Sequence, residues 1–280
     1  IPIGGDNPVR LQSMTNTDTL NTEKTVEQCK RIFDAGADFV RLTTQSKRHV
    51  ENLKEIKKRL EAENFNKPLI ADIHFSADVA LAAAEVAQKI RINPGNYTGV
   101  KRAYESGISD EEYKNELEEI KRRIKPLLDL CKKNSTAVRI GVNHGSLSSR
   151  VVAKYGNTPE GLVVSLLEFV EICREQNFTQ LVLSIKASNT RIMVQACRLL
   201  MSKMLEKKYN HPIHLGVTEA GEGEDGRIKS AVGISTLLIE GIGSTIRVSL
   251  TEAPEKEIPV AATIVDFVSN YKCFVDIFDK

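Results

Sequence analysis

The feature that most constrains the fold is a regular alternation of short apolar, β-branched runs with longer helical patterns. Apolar residues between the runs recur at helical spacing. Eight consecutive strand–helix units predict an α/β fold of the closed (β/α)8 TIM-barrel type, with an open, doubly wound sheet as the alternative. The predicted strands are 10–14, 39–43, 69–73, 89–92, 137–142, 181–185, 214–217 and 245–250.

Helix signals fall between these strands. Ser76 and Thr158 are predicted N-caps, and Pro159 follows as a first-turn proline. The interval between strands four and five is longer than the others, and residues 104–133 there read as a charged helix. We interpret this segment as a helical extension packed outside the barrel. A last helix is predicted over 258–268, and no linker divides the chain, so residues 1–280 are read as one barrel domain.

Charge and cysteine content exclude several classes of protein. The 39 Lys and Arg residues balance 37 Asp and Glu residues, which argues against a generally basic protein that binds nucleic acid or a membrane surface. The five cysteines are scattered and form no C-x-x-C pair, so zinc-ribbon and local iron–sulfur patterns are missing. This usage favours a reduced, cytoplasmic compartment.

Polar residues follow every predicted strand at its carboxyl end, where TIM barrels carry their active sites. Cations outnumber acids among these residues. Guanidinium groups bind phosphate oxygens through two hydrogen bonds at once, and a lysine adds a point charge. We therefore expect this site to bind an anion with several charges, and a diphosphate fits better than one carboxylate. The cations are Arg41, Arg91, Arg139, Lys186 and Arg247, and the acids are Asp72 and Glu219.

Three further features are weaker. Asp72 and His74 share one face of a strand end, which suits acid–base work, ligand positioning or a plain structural hydrogen bond, and no further metal ligands are evident. Lys186 suits a Schiff base as well as a phosphate clamp. The segment 221–226, rich in glycine and acids, reads as a loop that either closes over a ligand or simply connects two elements.

Ordered motifs give the chain a resemblance to a known family, the 4-hydroxy-3-methylbut-2-enyl diphosphate synthases of the methylerythritol phosphate route to isoprenoids. The motifs keep the family's order from near the start of the chain to about residue 250. They are QSMTNT at 12–17, GADFVR at 36–41, ADIHF at 71–75, RINPGN at 91–96, RIGVNHGSL at 139–147, SIKAS at 184–188, LGVTEAG at 215–221 and GSTIRVSL at 243–250.

The resemblance implies an oxidoreductase that reductively opens 2-C-methyl-D-erythritol 2,4-cyclodiphosphate to hydroxymethylbutenyl diphosphate. It implies that Asp72, His74 and Glu219 act at the reacting carbons, with Glu219 handling a proton near the leaving hydroxyl. It also implies a set of residues that bind the substrate. They are Arg41, Arg91, Arg139, Asn143, Lys186, Thr218, Arg247 and Ser249.

The same resemblance implies a [4Fe–4S] cluster fed by ferredoxin or flavodoxin. The family holds that cluster in a C-terminal domain with a Cys-Pro-x-Cys type of motif, and this sequence contains no such motif. We therefore expect the barrel of the large, three-domain type without its cluster ligands, inactive by itself and with no cofactor or metal bound. The family is commonly dimeric, and its plant members imply a plastid location in plants.

Two other functions remain open on the sequence alone. One is a self-contained barrel enzyme that binds phosphate or a pterin, similar to dihydropteroate synthase. The other is a non-catalytic module that binds phosphate or serves assembly. Competition by pterins would favour the first alternative. Binding that survives loss of both Arg247 and Lys186 would favour the second.

Overall fold

Parallel strands and helices alternate along the chain in the computed structural model, which describes residues 1–74, 76–97, 104 and 107–278, with side chains described to residue 271. Each strand pairs in parallel with its neighbours. The strands are β1 (Arg10–Met14), β2 (Phe39–Thr44), β3 (Leu69–Ile73), β4 (Lys89–Ile92), β5 (Ala137–Asn143), β6 (Leu181–Lys186), β7 (His214–Leu215) and β8 (Thr245–Ile246).

Ten α-helices are present in the described part of the chain, together with a 3-10 turn at Pro254–Lys256. Their bounds follow in chain order. They are α1 (Thr22–Asp34), α2 (Lys47–Ala62), α3 (Ala77–Ala84), α4 (Pro94–Tyr97), α5 (Asp110–Asn134), α6 (Ser149–Tyr155), α7 (Pro159–Glu175), α8 (Thr190–Glu206), α9 (Gly223–Ile239) and α10 (Glu257–Phe278).

The sheet closes on itself. Its strand order runs β6-β5-β4-β3-β2-β1-β8-β7, and the two ends meet through a bridge between Leu183 and Ile213. There the Leu183 amide donates to the Pro212 carbonyl at 2.8 Å. The (β/α)8 barrel predicted from the sequence is therefore confirmed. None of the described helices has the length and hydropathy needed to span a bilayer.

Helix ends follow local chemistry. The Ser76 hydroxyl accepts from the Val79 amide, and the Thr158 hydroxyl accepts from the Gly161 amide, so both predicted caps are confirmed. The helical extension between β4 and β5 is also confirmed, as α5, which packs against α3 and α7. It begins at Asp110, where Ser109 and Glu112 form a capping box. Residues 105 and 106 of the predicted helix, and Phe75 of one motif, lie outside the described residues.

Two predictions need correction. The predicted strands 214–217 and 245–250 are longer than the observed β7 and β8. Beyond Leu215 and Ile246 the two segments share only one backbone hydrogen bond, from the Arg247 amide to the Leu215 carbonyl at 3.0 Å, so the paired strands end there. The segment 221–226 is not a free loop, since α9 begins at Gly223. Acidic residues 224 and 225 stabilise that helix start through its dipole.

Candidate functional site

Backbone pairing decides which side chains meet inside the barrel. Met14 pairs with Arg41, Asp72 with Arg91, and Arg91 with Arg139. Because paired residues of parallel strands point to the same face, these side chains share the barrel interior. The residues between them along each strand, such as Val40, Ile90 and Val138, are fully buried members of the apolar core. The interior therefore carries these charged side chains, whereas the helix-facing layer is apolar.

Asp72 is the acidic centre of this interior. Its carboxylate accepts from Arg91 NH1 at 3.2 Å and lies 3.5 Å from Arg41 Nε and 3.6 Å from His74 Nε2. Burial opposes its charge, but Arg41 and Arg91 hold the pKa of Asp72 well below its usual range. Burial also lowers the pKa of Arg41 to about 10, so both groups are charged at neutral pH. Asp72 thus fixes two of the five cations in place.

Glu257, at the start of α10, is a site residue that the sequence analysis missed. It accepts from Arg247 through Nε at 3.2 Å and NH2 at 3.1 Å, and from the Ser13 hydroxyl at 2.7 Å. The Leu250 amide donates to it at 3.3 Å. This carboxylate is 1% exposed, so it is the second buried acid facing the cations. Its sequence signal is weak, because it stands among other charged residues before a helix.

Met14 was also missed. Its sulfur accepts from Arg41 through Nε at 3.1 Å and NH2 at 2.8 Å, and Arg247 NH1 lies 3.6 Å away. A thioether is a weak acceptor, so it spaces two guanidiniums without neutralising either. Strand alternation from Gln12 to Met14 could have placed this side chain inside the barrel.

Two glycines make room for the cations. A Cβ at Gly141 would lie 2.7 Å from Arg91 Nε, and a Cβ at Gly216 would lie 2.8 Å from Lys186 Nζ. Arg91 NH2 also donates to the Gly141 carbonyl at 2.9 Å. The absence of side chains at these two positions is what lets Arg91 and Lys186 lie across the barrel.

The mouth of the barrel contains a cavity of about 320 Å³. Asn143, Lys186, Thr218 and Glu219, all predicted site residues, line it together. Glu219 is exposed there and has a φ of +52°, a conformation that non-glycine residues rarely adopt and that is concentrated at functional sites. Ser249 follows Arg247 by two residues and is half-buried.

The electrostatics of the interior favour an anion. We call Arg41, Arg91, Arg139, Lys186 and Arg247 the anion site. Burial and the neighbouring guanidiniums of Arg41 and Arg91 lower the pKa of Arg139, whose Nε and NH1 have no partner in the structure. Burial, together with the arginines, also lowers the pKa of Lys186 well below its ordinary value. Five cations face two buried carboxylates, so an anion with several charges would relieve their mutual repulsion.

A metal centre is not supported by the described residues. They contain no group of three or more His, Cys, Asp or Glu side chains able to hold an ion. The four cysteines with described side chains, at positions 29, 131, 173 and 197, are buried and separate. Burial raises the pKa of each thiol to about 12, which disfavours the thiolate that ligates metals.

A larger cavity, of about 700 Å³, lies at the opposite end of the barrel. Its lining includes Met204, Ile213 and Ile242, together with His211. It lies at the start of β7 rather than at the carboxyl ends of strands, and it holds none of the anion-site cations. Since TIM barrels carry their active sites at the carboxyl ends of the strands, the cavity at the mouth is the candidate site.

Comparison with known sequences gives one family and many relatives. Residues 1–262 match the family described as the GcpE TIM-barrel domain. Over 268 residues the chain is 56% identical to 4-hydroxy-3-methylbut-2-en-1-yl diphosphate synthase (flavodoxin) of Phocaeicola vulgatus, covering 95% of this chain and 44% of that protein. It is 52% identical over 259 residues to 4-hydroxy-3-methylbut-2-en-1-yl diphosphate synthase (ferredoxin), chloroplastic, of Oryza sativa subsp. japonica. That match covers 92% of this chain and 35% of the rice protein.

The chain therefore spans less than half the length of these curated relatives. Solved structures add a likeness of fold. Dihydropteroate synthase of Yersinia pestis superposes with a TM-score of 0.60 over 95% of this chain and 94% of that one, at 14% identity. A likeness at that identity bears on the barrel architecture alone.

Proposed function

This chain belongs to the GcpE TIM-barrel domain family, and from that premise we propose that it is the substrate-binding barrel of a 4-hydroxy-3-methylbut-2-en-1-yl diphosphate synthase. The substrate is 2-C-methyl-D-erythritol 2,4-cyclodiphosphate, which the whole enzyme opens reductively to hydroxymethylbutenyl diphosphate. The anion site carries this proposal, because it gathers five cations inside the barrel, from mid-strand at Arg139 to the carboxyl end of β6 at Lys186, around two buried carboxylates.

The binding residues divide by position. Arg41, Arg91, Arg139 and Arg247, with Lys186, hold the two phosphates by charge-assisted hydrogen bonds. At the mouth, Asn143, Thr218 and Ser249 orient the carbon skeleton. Asn143 and Thr218 line the cavity there, and the Thr218 hydroxyl is a buried group with no partner in the structure, as expected of a donor reserved for a ligand.

The three residues that the resemblance placed at the reacting carbons have different parts in this proposal. Glu219, exposed and in a left-handed conformation at the mouth, handles a proton at the hydroxyl that leaves. Asp72 stays ionised and orients Arg41 and Arg91, while His74 lies at the edge of that network. Since Asp72 touches the cations rather than open space, its part is to position them against the phosphates.

The whole enzyme's redox chemistry lies outside the residues described here. A [4Fe–4S] cluster needs thiolate ligands, whereas the described cysteines are buried, separate and held as thiols. The described residues do not fit the cluster, so the part of this chain is to bind and orient the diphosphate. Ferredoxin or flavodoxin is the electron donor to the whole enzyme, as the relatives' names indicate for them.

We place the protein in the cytoplasm, or in the plastid of a plant, as a homodimer.

Calorimetric titration with the cyclodiphosphate tests the proposal. We expect binding that Arg247→Ala weakens at least tenfold, about 1.4 kcal/mol. The matched control is Arg198→Ala, which also removes an arginine paired with a glutamate, but on the surface. Absence of binding by the unaltered chain, or binding indifferent to Arg247, would contradict the proposal. A pterin bound in place of the cyclodiphosphate would support the alternative function.

A further inference from the structure

Beneath the anion site the barrel holds a second polar layer that the proposed function does not use. We call Gln12, Lys89 and His214 the floor layer; each is at most 3% exposed. Lys89 Nζ, both side-chain polar atoms of Gln12, and His214 Nε2 have no hydrogen-bond partner in the structure. Buried polar atoms without partners are rare in proteins, so a layer of four such atoms calls for a functional explanation.

Lys89 is the ionisable group of this layer that matters near neutral pH. It opens β4, and its Nζ lies 4.2 Å from the centroid of the Phe39 ring on β2. Attraction between an ammonium and a ring is weak compared with the cost of burying an unpaired charge. The geometry therefore favours the neutral amine in the barrel without ligand. Its surroundings lower the pKa of Lys89 to about 7, chiefly through burial and then through Arg139 and Arg41.

The groups facing Lys89 explain both states. Arg41 on β2 and Arg139 on β5 are cations that oppose its protonation. His214 on β7 is buried, with a pKa held well below its ordinary value, so it is neutral near pH 7 and adds no charge. On β3 the residue paired with Lys89 is the apolar Ile70, and Asp72, two residues further along that strand, pairs with Arg91 instead. No carboxylate of the described residues pairs with Lys89.

An anion bound above this layer changes that balance. Arg41 and Arg139 belong to the anion site, and a polyanion on them offsets the positive field that keeps Lys89 neutral. We propose that Lys89 is a sixth, proton-dependent cation of the anion site, neutral in the ligand-free barrel and protonated when a polyanion binds. The inference rests on the proposed function, because it needs a polyanion at these arginines.

Protonation of Lys89 on ligand binding is a simple proton uptake. The lone pair of Nζ takes one proton from solvent, and no other bond changes. By linkage, a site that gains a proton on binding loses affinity as the pH rises through the window in which the uptake occurs, by up to tenfold per pH unit for one proton. That window opens above about pH 7, where the ligand-free lysine is neutral.

Titration calorimetry in two buffers of different ionisation enthalpy measures the uptake. The cyclodiphosphate suits the purpose, because each of its phosphorus atoms keeps one acidic oxygen that is ionised far below neutral pH. At about pH 8 we expect Lys89→Met to remove close to one proton from the uptake of the unaltered chain. Any remainder belongs to the other buried groups whose pKa is lowered beside these arginines, Lys186 and His214.

Two further variants make the test specific. Lys89→Arg carries a permanent charge, so it should bind the ligand without that proton and with an affinity that falls less with pH. Lys67→Met is the matched control, since Lys67 also lies over a phenylalanine ring, Phe33, but outside the barrel. It should keep the full uptake. Circular dichroism and the melting temperature establish that each variant is folded.

The outcomes separate the two proposals. Binding with the same uptake in the unaltered chain and in both Lys89 variants overturns the inference and leaves the proposed function standing. No binding of the cyclodiphosphate by the unaltered chain overturns both. Should both Lys89 variants fail to fold, the pH dependence of affinity in the unaltered chain decides the matter, because an affinity that is constant above about pH 7 contradicts uptake by Lys89.

Discussion

At the scale of single residues, the interior is organised by two buried acids, each serving a different strand pair. Asp72 holds Arg41 and Arg91, whereas Glu257 reaches in from α10 to hold Arg247. The sequence pointed to the first acid, because it follows a strand, but not to the second. A carboxylate that arrives from a helix after the last strand leaves no trace in the alternation of strands, so only its contacts reveal it.

Removal of the Glu257 carboxylate should destabilise the fold. Glu257→Ala leaves Arg247, the Ser13 hydroxyl and the Leu250 amide without their partner, and breaking a buried pair costs about 3 kcal/mol. The free energy of unfolding in urea measures the loss. Glu252→Ala is the control, because that glutamate pairs with Arg227 at the surface and its loss should cost less than about 1 kcal/mol. Equal losses in the two variants would contradict this account.

Lys89 should make stability depend on pH. Its pKa is about 7 in the folded chain and about 10.4 when unfolded, so between these values the unfolded state binds more protons. Unfolding free energy attributable to Lys89 therefore rises with pH across that window, by at most about 1.4 kcal/mol per unit. Urea titrations at several pH values check the sign. Relative to Lys89→Met, the unaltered chain should gain stability between neutral and alkaline pH, and a constant difference would refute the expectation.

At the scale of elements, much of the barrel could be predicted because strands and helices carry opposite periodicities. The strands β1, β3 and β4 have the predicted bounds, and Thr158 and Ser76 begin their helices as expected. The two failures have different causes. Local composition marked 221–226 as a loop, but acidic residues in the first turn of α9 stabilise a helix that begins at Gly223. Composition also extended β7 to residue 217, whereas pairing in the folded barrel ends at Leu215.

Register explains why the candidate site could be predicted in outline. Cations whose side chains point into a closed barrel converge there, and pairing of Arg91 with both Asp72 and Arg139 brings three of the charged groups to one level. Sequence reasoning named Glu219 as the second acid, but that residue is exposed at the mouth. The buried pairing with Arg247, and the sulfur of Met14 between two guanidiniums, depend on side-chain geometry that no sequence pattern encodes.

The gap at Gly141 on β5 gives a test of this register. Gly141→Ala places a Cβ 2.7 Å from Arg91 Nε and 3.2 Å from the Ser184 hydroxyl, so Arg91 must move. We expect anion affinity to fall at least tenfold, about 1.4 kcal/mol, by calorimetry. Gly241→Ala is the control, because Gly241 lines the cavity at the opposite end of the barrel and a Cβ there meets nothing within 4 Å. Its φ of +78° makes an alanine there cost stability, so this control separates general destabilisation from a specific loss of affinity. If both alanine variants bind alike, Arg91 does not depend on this gap.

At the scale of the whole molecule, charge is unevenly distributed. The chain has a formal net charge of only +2, yet five cations share the barrel interior with two buried acids. On the surface, by contrast, cations and acids form local salt bridges, such as Arg198 with Glu240 and Lys207 with Glu171. The barrel therefore concentrates its unbalanced charge where a ligand can offset it, which links stability to occupancy.

That link predicts a thermal shift. A ligand bound only by the folded chain at a hundredfold excess over Kd adds about 2.7 kcal/mol, which for a chain of this size raises Tm by about 5 °C. Differential scanning calorimetry with the cyclodiphosphate should show this rise, larger at low salt because dissolved ions screen the approach of the charged ligand to the cations. Sodium chloride at matched ionic strength should shift Tm far less, and Arg247→Ala should lose most of the ligand's effect. An equal shift from sodium chloride would mean that general screening, rather than a polyanion bound among the arginines, relieves the repulsion at the strand ends.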